Sequence, residues 1–185
     1  VRSLSLTLLG WQDIFSARTL RIFNQGKWIE AGILEEFKEA GILLGENVTV
    51  NFNLDIPLVG IYDAMVENPD TLEPLICEIK SINEIYFDKI PDPVPDDQEN
   101  FDNLLKLYPA YANQWNVYAY GTGVHNGFLI FEAKNTQKRK IYPLKFNKKV
   151  FDDTIARLTE AWEYAQRGEV APRVFDISTA TPCRQ

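Results

Sequence analysis

From Ala17 to Ala40 the apolar positions repeat with a helical period. Phe23, Gly26, Glu30, Leu34 and Phe37 form one stripe, with Ile22, Ile29 and Ile33 beside it, which predicts an amphipathic helix packed on a core. Gly41 is placed to stop it. The pattern then changes. Val48 to Leu54 alternates weakly, Leu58 to Val66 follows beyond Pro57, and Leu75 to Ile82 is strongly apolar. These read as three strands, with Asn68-Pro69-Asp70 turning between the second and third. Residues from about 88 to 100 contain PDPVPDD and read as an acidic, proline-rich surface loop. Phe101 to Tyr120 reads as a helix that Pro109 kinks or breaks. Gly127 to Ala133 is a strand, and Lys138 to Phe146 is a weaker one whose Pro143 suggests a sheet edge. Val150 to Arg167 is an amphipathic helix through Phe151, Ile155, Leu158 and Trp162, closed by Gly168, and the tail after it is irregular. No repeat is visible. The order α-β-β-β-α-β-β-α predicts an α/β (α+β) fold with a mixed central sheet between helices. The 185 residues suit a single domain over 1–185.

Three charged residues break the strand pattern. Glu78 and Lys80 lie two apart in Leu75–Ile82 and share a face. The surrounding run is apolar, so the strand reads as central and covered on both sides. Charges there are costly to desolvate, and a simple buried ion pair adds little net stability. Asp63 poses the same problem on a face with Val59, Ile61 and Met65. If the second and third strands pair through the Pro69 turn, Asp63 and Glu78 come side by side, where two carboxylates repel unless a cation separates them. Oxygen ligands of this kind select Mg²⁺ or Mn²⁺. Glu30 falls on the apolar stripe one turn after Gly26, whose lack of a side chain would let the helix approach the sheet. Glu30 either reaches the same metal or, with the helix slightly rotated, is a surface residue.

Composition narrows the class. Hydrophobic residues are 45% and charged residues 24% of the chain, the balance of an ordinary globular protein. No apolar run approaches the roughly 18–20 residues that span a bilayer, so no membrane association is expected, and the opening VRSLSLTLLGW is a poor signal peptide. Cys77 lies in an apolar run far from Cys183, which reads as a reduced core thiol in a cytoplasmic or intracellular protein. The net charge of −7 argues against indiscriminate nucleic-acid binding. Seven acids cluster between Glu84 and Asp102, and seven bases with no acid between Lys134 and Lys149. That strip is either a solvated hairpin or a local hold on phosphates.

Asp63, then fourteen residues, then Glu78-Ile79-Lys80 resembles the D…(D/E)xK signature of the restriction-endonuclease-like, or PD-(D/E)xK, nucleases. Gly60-Ile-Tyr-Asp63 looks like their G-x-x-D strand. Gln114-Trp-Asn-Val-Tyr118 looks like the Q-x-x-x-Y helix of the RecB-type exonuclease branch, and Phe128 to Lys134 like the lysine-ended strand of its phage and CRISPR-associated members. The resemblance runs from about Arg18 to Pro172. It departs at the first helix, where Glu30 stands at the spacing from Gly26 at which the family usually has histidine. His125, the sole histidine, matches no motif. Some relatives carry an iron–sulfur cluster. Only Cys183 sits in a matching region, and no cluster is predicted.

The resemblance implies a DNA exonuclease depending on Mg²⁺ or Mn²⁺. Asp63, Glu78, the Ile79 carbonyl and Glu30 would hold metal, with Lys80 at the attacking water. Gln114 and Tyr118, one helical turn apart, would border the site and contact DNA or support the lysine, or else form a helix packing edge with a polar neighbour, and Lys134 would hold phosphate. Tyr111, Trp115 and Tyr120 either stack on bases or pack the core. The expected substrate is DNA with free or single-stranded ends, in recombination, repair or phage DNA processing. The alternative is a nuclease-fold DNA-binding or assembly module with weak or no catalysis, and the acidic loop leaves room for a protein partner. No phosphate-loop motif is present, so any motor would lie outside this chain.

Overall fold

A computed structural model describes residues 10 and 15–172. By internal contacts the chain divides into two units, Phe15–Phe151 and a second formed by residues 1–14 with Asp152–Gln185. The first unit holds a five-stranded mixed sheet in the order β1 (Leu43–Asn51), β2 (Val59–Glu67), β3 (Pro74–Ile82), β4 (Asn126–Ala133), β5 (Arg139–Lys145). Only β3 and β4 run parallel. Helices cover both faces. On one, α1 (Ala17–Glu39) packs Ile33 and Leu34 onto Ala64, Val66, Cys77, Ile79 and Ile130. On the other, α3 (Asp97–Leu107) and α4 (Pro109–Thr122) bring Phe101, Leu104 and Trp115 onto Tyr62, Ile76, Leu129 and Phe131. The expected α/β order and mixed sheet are therefore present, with β3 central and β5 at an edge.

The differences have local causes. β1 begins at Leu43 rather than Val48, because Gly41 (φ 72°) turns the chain straight from α1 into the strand. The acidic loop is shorter than expected. Asn83 caps a single turn, α2 (Glu84–Phe87), by accepting from the Ile85 amide. Asp96 then accepts from the Glu99 amide at 2.8 Å and starts α3 inside the proline-rich stretch, a side-chain cap that offsets its helix-breaking composition. The helix expected over 101–120 is two helices. Tyr108 leaves helical geometry and Pro109 opens α4, the position where its missing N–H costs no hydrogen bond.

The helix α5 (Lys148–Gln166) crosses from the first unit into the second and ends at Gly168, whose φ of 70° supplies the left-handed turn. No helix among the described residues is long and apolar enough to cross a membrane.

Candidate active site

The β2–β3 ladder pairs Glu67 with Pro74 and continues to Ala64 opposite Cys77. The next position would pair Asp63 with Glu78, and there the ladder stops. Asp63 replaces a strand carbonyl with its own side chain, Oδ2 accepting the Ile79 amide at 2.6 Å. β2 changes face at the same residue: Tyr62 packs under α4, whereas Ala64 and Val66 pack under α1. On the other flank the register sets Asn47 opposite Asp63, and Asn47 has a φ of 49°, a conformation asparagine tolerates better than most residues. The strands thus part around Asp63, and Val59 and Ile61, expected on its apolar face, are exposed.

Glu78 is 1% exposed. Its Oε1 takes a hydrogen bond from Lys80 Nζ at 2.5 Å, while Oε2 has no hydrogen-bond partner. An orphaned carboxylate oxygen in a dry site is costly. Burial, reinforced by the charge of Asp63 and opposed by Lys80, pushes the Glu78 carboxyl up to about 7. Burial likewise raises Asp63, against the pull of Lys80 and the Ile79 amide. Burial draws the Lys80 ammonium down, but Glu78 and Asp63 outweigh it and hold it above its ordinary range. The lysine also lies 5.4 Å from the centre of the Tyr111 ring.

Two glycines bring helices to this fork. A Cβ at Gly26 would stand 2.9 Å from Ser81 Oγ, so α1 approaches β3 as its sequence suggested. Glu30, one turn on, is raised by burial and then by Asp63, and feels the charge of Lys80. A Cβ at Gly60 would stand 2.4 Å from Tyr118 Cε1; the bare position admits that ring against β2. Gln114 Nε2 donates to Tyr118 Oη at 2.9 Å. Burial raises the Tyr118 phenol, with Gln114 opposing, and the charges of Glu78, Lys80 and Asp63 all act on it. Trp115 Nε1 donates to the Ile76 carbonyl at 3.4 Å, pinning α4 to β3 two residues before Glu78. Of the aromatics left open between core and bases, Trp115 is core, at 0% exposure.

Asp63, Glu78, Lys80 and the Ile79 backbone thus meet at one fork; Glu30 and Tyr118 feel its charges, and Gln114 is linked to it through Tyr118. Lys134 lies elsewhere. Its Nζ donates to the Ile22 carbonyl at 3.1 Å, near the start of α1. The basic strip beyond it is largely paired: Lys138 with Glu84, Arg139 with Glu36 and Glu132, and Lys140 with Asp92. The acid-rich and base-rich runs of the sequence thus partly neutralise each other. Tyr111, a core or stacking residue by sequence, is the aromatic neighbour of Lys80. Its signal was position, one turn before Gln114 on the same helix. Cys183 lies outside the described residues.

Among the described residues no three acidic, histidine or cysteine side chains are grouped as a ready-made metal cage. Asp63 is turned to an amide and Glu78 to Lys80. The donor chemistry nevertheless fits a divalent cation. Two carboxylates adjoin, one with a buried oxygen lacking any partner, and a third carboxylate, Glu30, is raised by the charge of Asp63.

No family model matches this sequence, and no curated relative does. Solved structures do. The alkaline exonuclease LHK-Exo from Laribacter hongkongensis aligns over 90% of this chain and 81% of its own, at 15% identity and a TM-score of 0.53. The structure of LHK-Exo in complex with dAMP aligns over 90% and 77%, at 13% identity and a TM-score of 0.58. SSO0001 aligns over 80% of this chain at 14% identity and a TM-score of 0.48, and this chain spans 61% of its length. The chain shares the fold of an alkaline exonuclease.

Proposed function

We propose that the chain is a metal-dependent DNA exonuclease whose active site is the fork between β2 and β3. The observation that carries this reading is the buried Glu78 Oε2, left without a hydrogen bond beside the second carboxylate of Asp63 and within the lysine pair of Glu78 itself. A folded chain rarely keeps such an atom without use. The structural likeness to the alkaline exonuclease LHK-Exo, and that protein's complex with dAMP, support the choice of DNA as substrate.

Asp63, Glu78, the Ile79 carbonyl and Glu30 would hold Mg²⁺ or Mn²⁺. When bound, such an ion polarises the phosphate and lowers the pKa of water. The remaining work falls to the chain. Asp63 fixes the Ile79 amide and with it the Glu78–Ile79 peptide plane. Lys80 keeps its proton, because Glu78 and Asp63 hold it charged, and so offers a fixed positive donor to a water or to phosphate charge that builds in the transition state. Tyr118, braced by Gln114, closes the α4 side of the fork, and Tyr111 holds the ammonium from the same helix. Lys134, just beyond the end of β4, would hold phosphate away from the reacting bond.

Labelled linear and circular DNA, incubated with Mg²⁺, Mn²⁺ or EDTA, test the reading. Metal-dependent loss of nucleotides from linear DNA, with circular DNA intact, is expected. Absence of cutting with either metal at high enzyme concentration defeats it and leaves a nuclease-fold binding module.

A further inference from the structure

The face of α1 that looks away from the fork carries a second pattern. Arg18, Arg21, Gln25, Trp28 and Gly32 follow one another at spacings of three and four, so they form one stripe along the helix. Arg18, Arg21 and Trp28 are exposed, Trp28 at 75%. From Ala17 to Ile29 the helix has three cations and no acid, in a chain of net charge −7. Neither arginine of the stripe forms an ion pair among the described residues, unlike Arg139, which two carboxylates hold.

The stripe borders a cleft of about 340 Å³, where Gln25, Trp28 and Gly32 face Lys134 and Gln137; Arg139, Glu36 and Glu132 line it too, but are paired with one another, which leaves Lys134 as the cation of the cleft outside that staple. A second cleft of about 340 Å³ shares Gln25 and Lys134 and runs to Ser81, one residue beyond Lys80. Lys134 Nζ reaches across to α1 at the Ile22 carbonyl, so its cation lies between the two clefts. Gly32 adds an independent sign. A glycine inside a helix costs about 1 kcal/mol relative to alanine, yet a Cβ there would meet nothing within 4 Å. No packing within the described chain needs it bare, and its bareness keeps the wall beside the Trp28 ring open.

We infer that this stripe is a track for a single strand of nucleic acid, with Trp28 stacking a base, Arg21 and Lys134 taking phosphates, and the shared cleft leading the strand toward Ser81 and Lys80. The inference rests on the exonuclease reading for its direction of travel and not for the binding itself. A flat indole beside a planar amide and flanking cations matches the alternation of base and phosphate in a strand. A membrane surface would want an apolar face in place of Gln25 and Gln137.

The test is fluorescence anisotropy of a labelled twelve-nucleotide single strand, in EDTA so that nothing is cut. Trp28→Ala should weaken binding by roughly tenfold or more, the usual cost of losing one stacked base, and Trp28→Phe should restore most of it. Arg21→Ala should reduce the dependence of log affinity on log salt by about 0.7, one phosphate contact to a single strand. Trp28 is so exposed that its replacement leaves the fold intact, which circular dichroism checks. Unchanged binding by Trp28→Ala overturns the track, as does loss of binding to anionic phosphatidylserine vesicles with strand binding untouched. A wild-type chain that binds the strand through Trp28 but cuts no DNA keeps the track and removes the exonuclease. A chain that cuts DNA while Trp28→Ala binds normally does the reverse.

Discussion

Two carboxylates are buried on neighbouring parallel strands, and the chain treats them in opposite ways. Glu132, on β4 at 4% exposure, accepts from Arg139 Nε at 2.6 Å, and the remaining nitrogens of that guanidinium grip both oxygens of Glu36 on α1. One planar cation satisfies two acids and staples β4, β5 and α1 together. Glu78, on β3 at 1% exposure, meets a single ammonium through one oxygen and leaves the other bare. The charge of its neighbour Asp63 adds repulsion, which the Asp63 backbone amide offsets only in part. Burial of a charge therefore does not mark a site. What marks one is burial left incompletely satisfied, where the cost of the arrangement is met by something the apo chain does not contain.

If this contrast is right, the two cations should fail differently when removed. Lys80→Met should cut the rate of DNA hydrolysis by roughly 10²–10³ while the chain stays folded, because Glu78 can take up a proton when its partner leaves. Single-turnover cleavage and thermal melting, measured together, check this. A wild-type rate in Lys80→Met would collapse the distinction. Arg139→Met should do the converse, costing about 3–5 kcal/mol of stability by stranding Glu132, with any residual hydrolysis of the folded fraction close to wild type.

The protonation of Glu78 sharpens the comparison further. Its folded pKa of about 7 lies above the ordinary 4.5, so the folded state binds the proton more tightly than the unfolded state. Below pH 4.5 the carboxyl is protonated in both states and Glu78 contributes no penalty. As the pH rises from 4.5 to about 7, stability falls, and above 7 the penalty is complete. Without divalent metal, the melting temperature of wild type should therefore fall relative to that of Glu78→Gln across this window. A difference that stays flat, or rises with pH, would show that Glu78 is satisfied after all.

Gly60→Ala should cost about 1–3 kcal/mol, since the new methyl must displace the Tyr118 ring. The smallest effect belongs to Tyr118→Phe. It removes one hydrogen bond from Gln114, worth about 1 kcal/mol, and keeps the ring, so chemical denaturation should register only a slight loss.

The sequence disclosed those features that repeat with a period or violate one. Glu78 and Lys80 stood out because they interrupt an oily strand, and Gly26 because a missing side chain on a packed face implies close approach; the close approach at Gly60 had no such signal, since its partner ring on Tyr118 is 58 positions away. The staple of Glu132, Arg139 and Glu36 was hidden, because it joins residues up to 103 apart and its arginine reads as one more base in a basic strip. The start of α3 was obscured by prolines, although Asp96 and Glu99 carry the capping signal. The change of face at Asp63 had no trace in the alternation, since a bend in two paired strands is a property of the pair.

Whether Asp63 and Glu78 share a cation beside Lys80 decides the function of this fork. A crystal structure of the chain grown with Mn²⁺, recorded at an energy where manganese scatters anomalously, measures this directly. The predicted result is one peak bridging the carboxylates of Asp63 and Glu78, with Glu78 Oε2 newly engaged. A structure saturated with Mn²⁺ that shows no peak there, and Glu78 still bound to Lys80 alone, would contradict it.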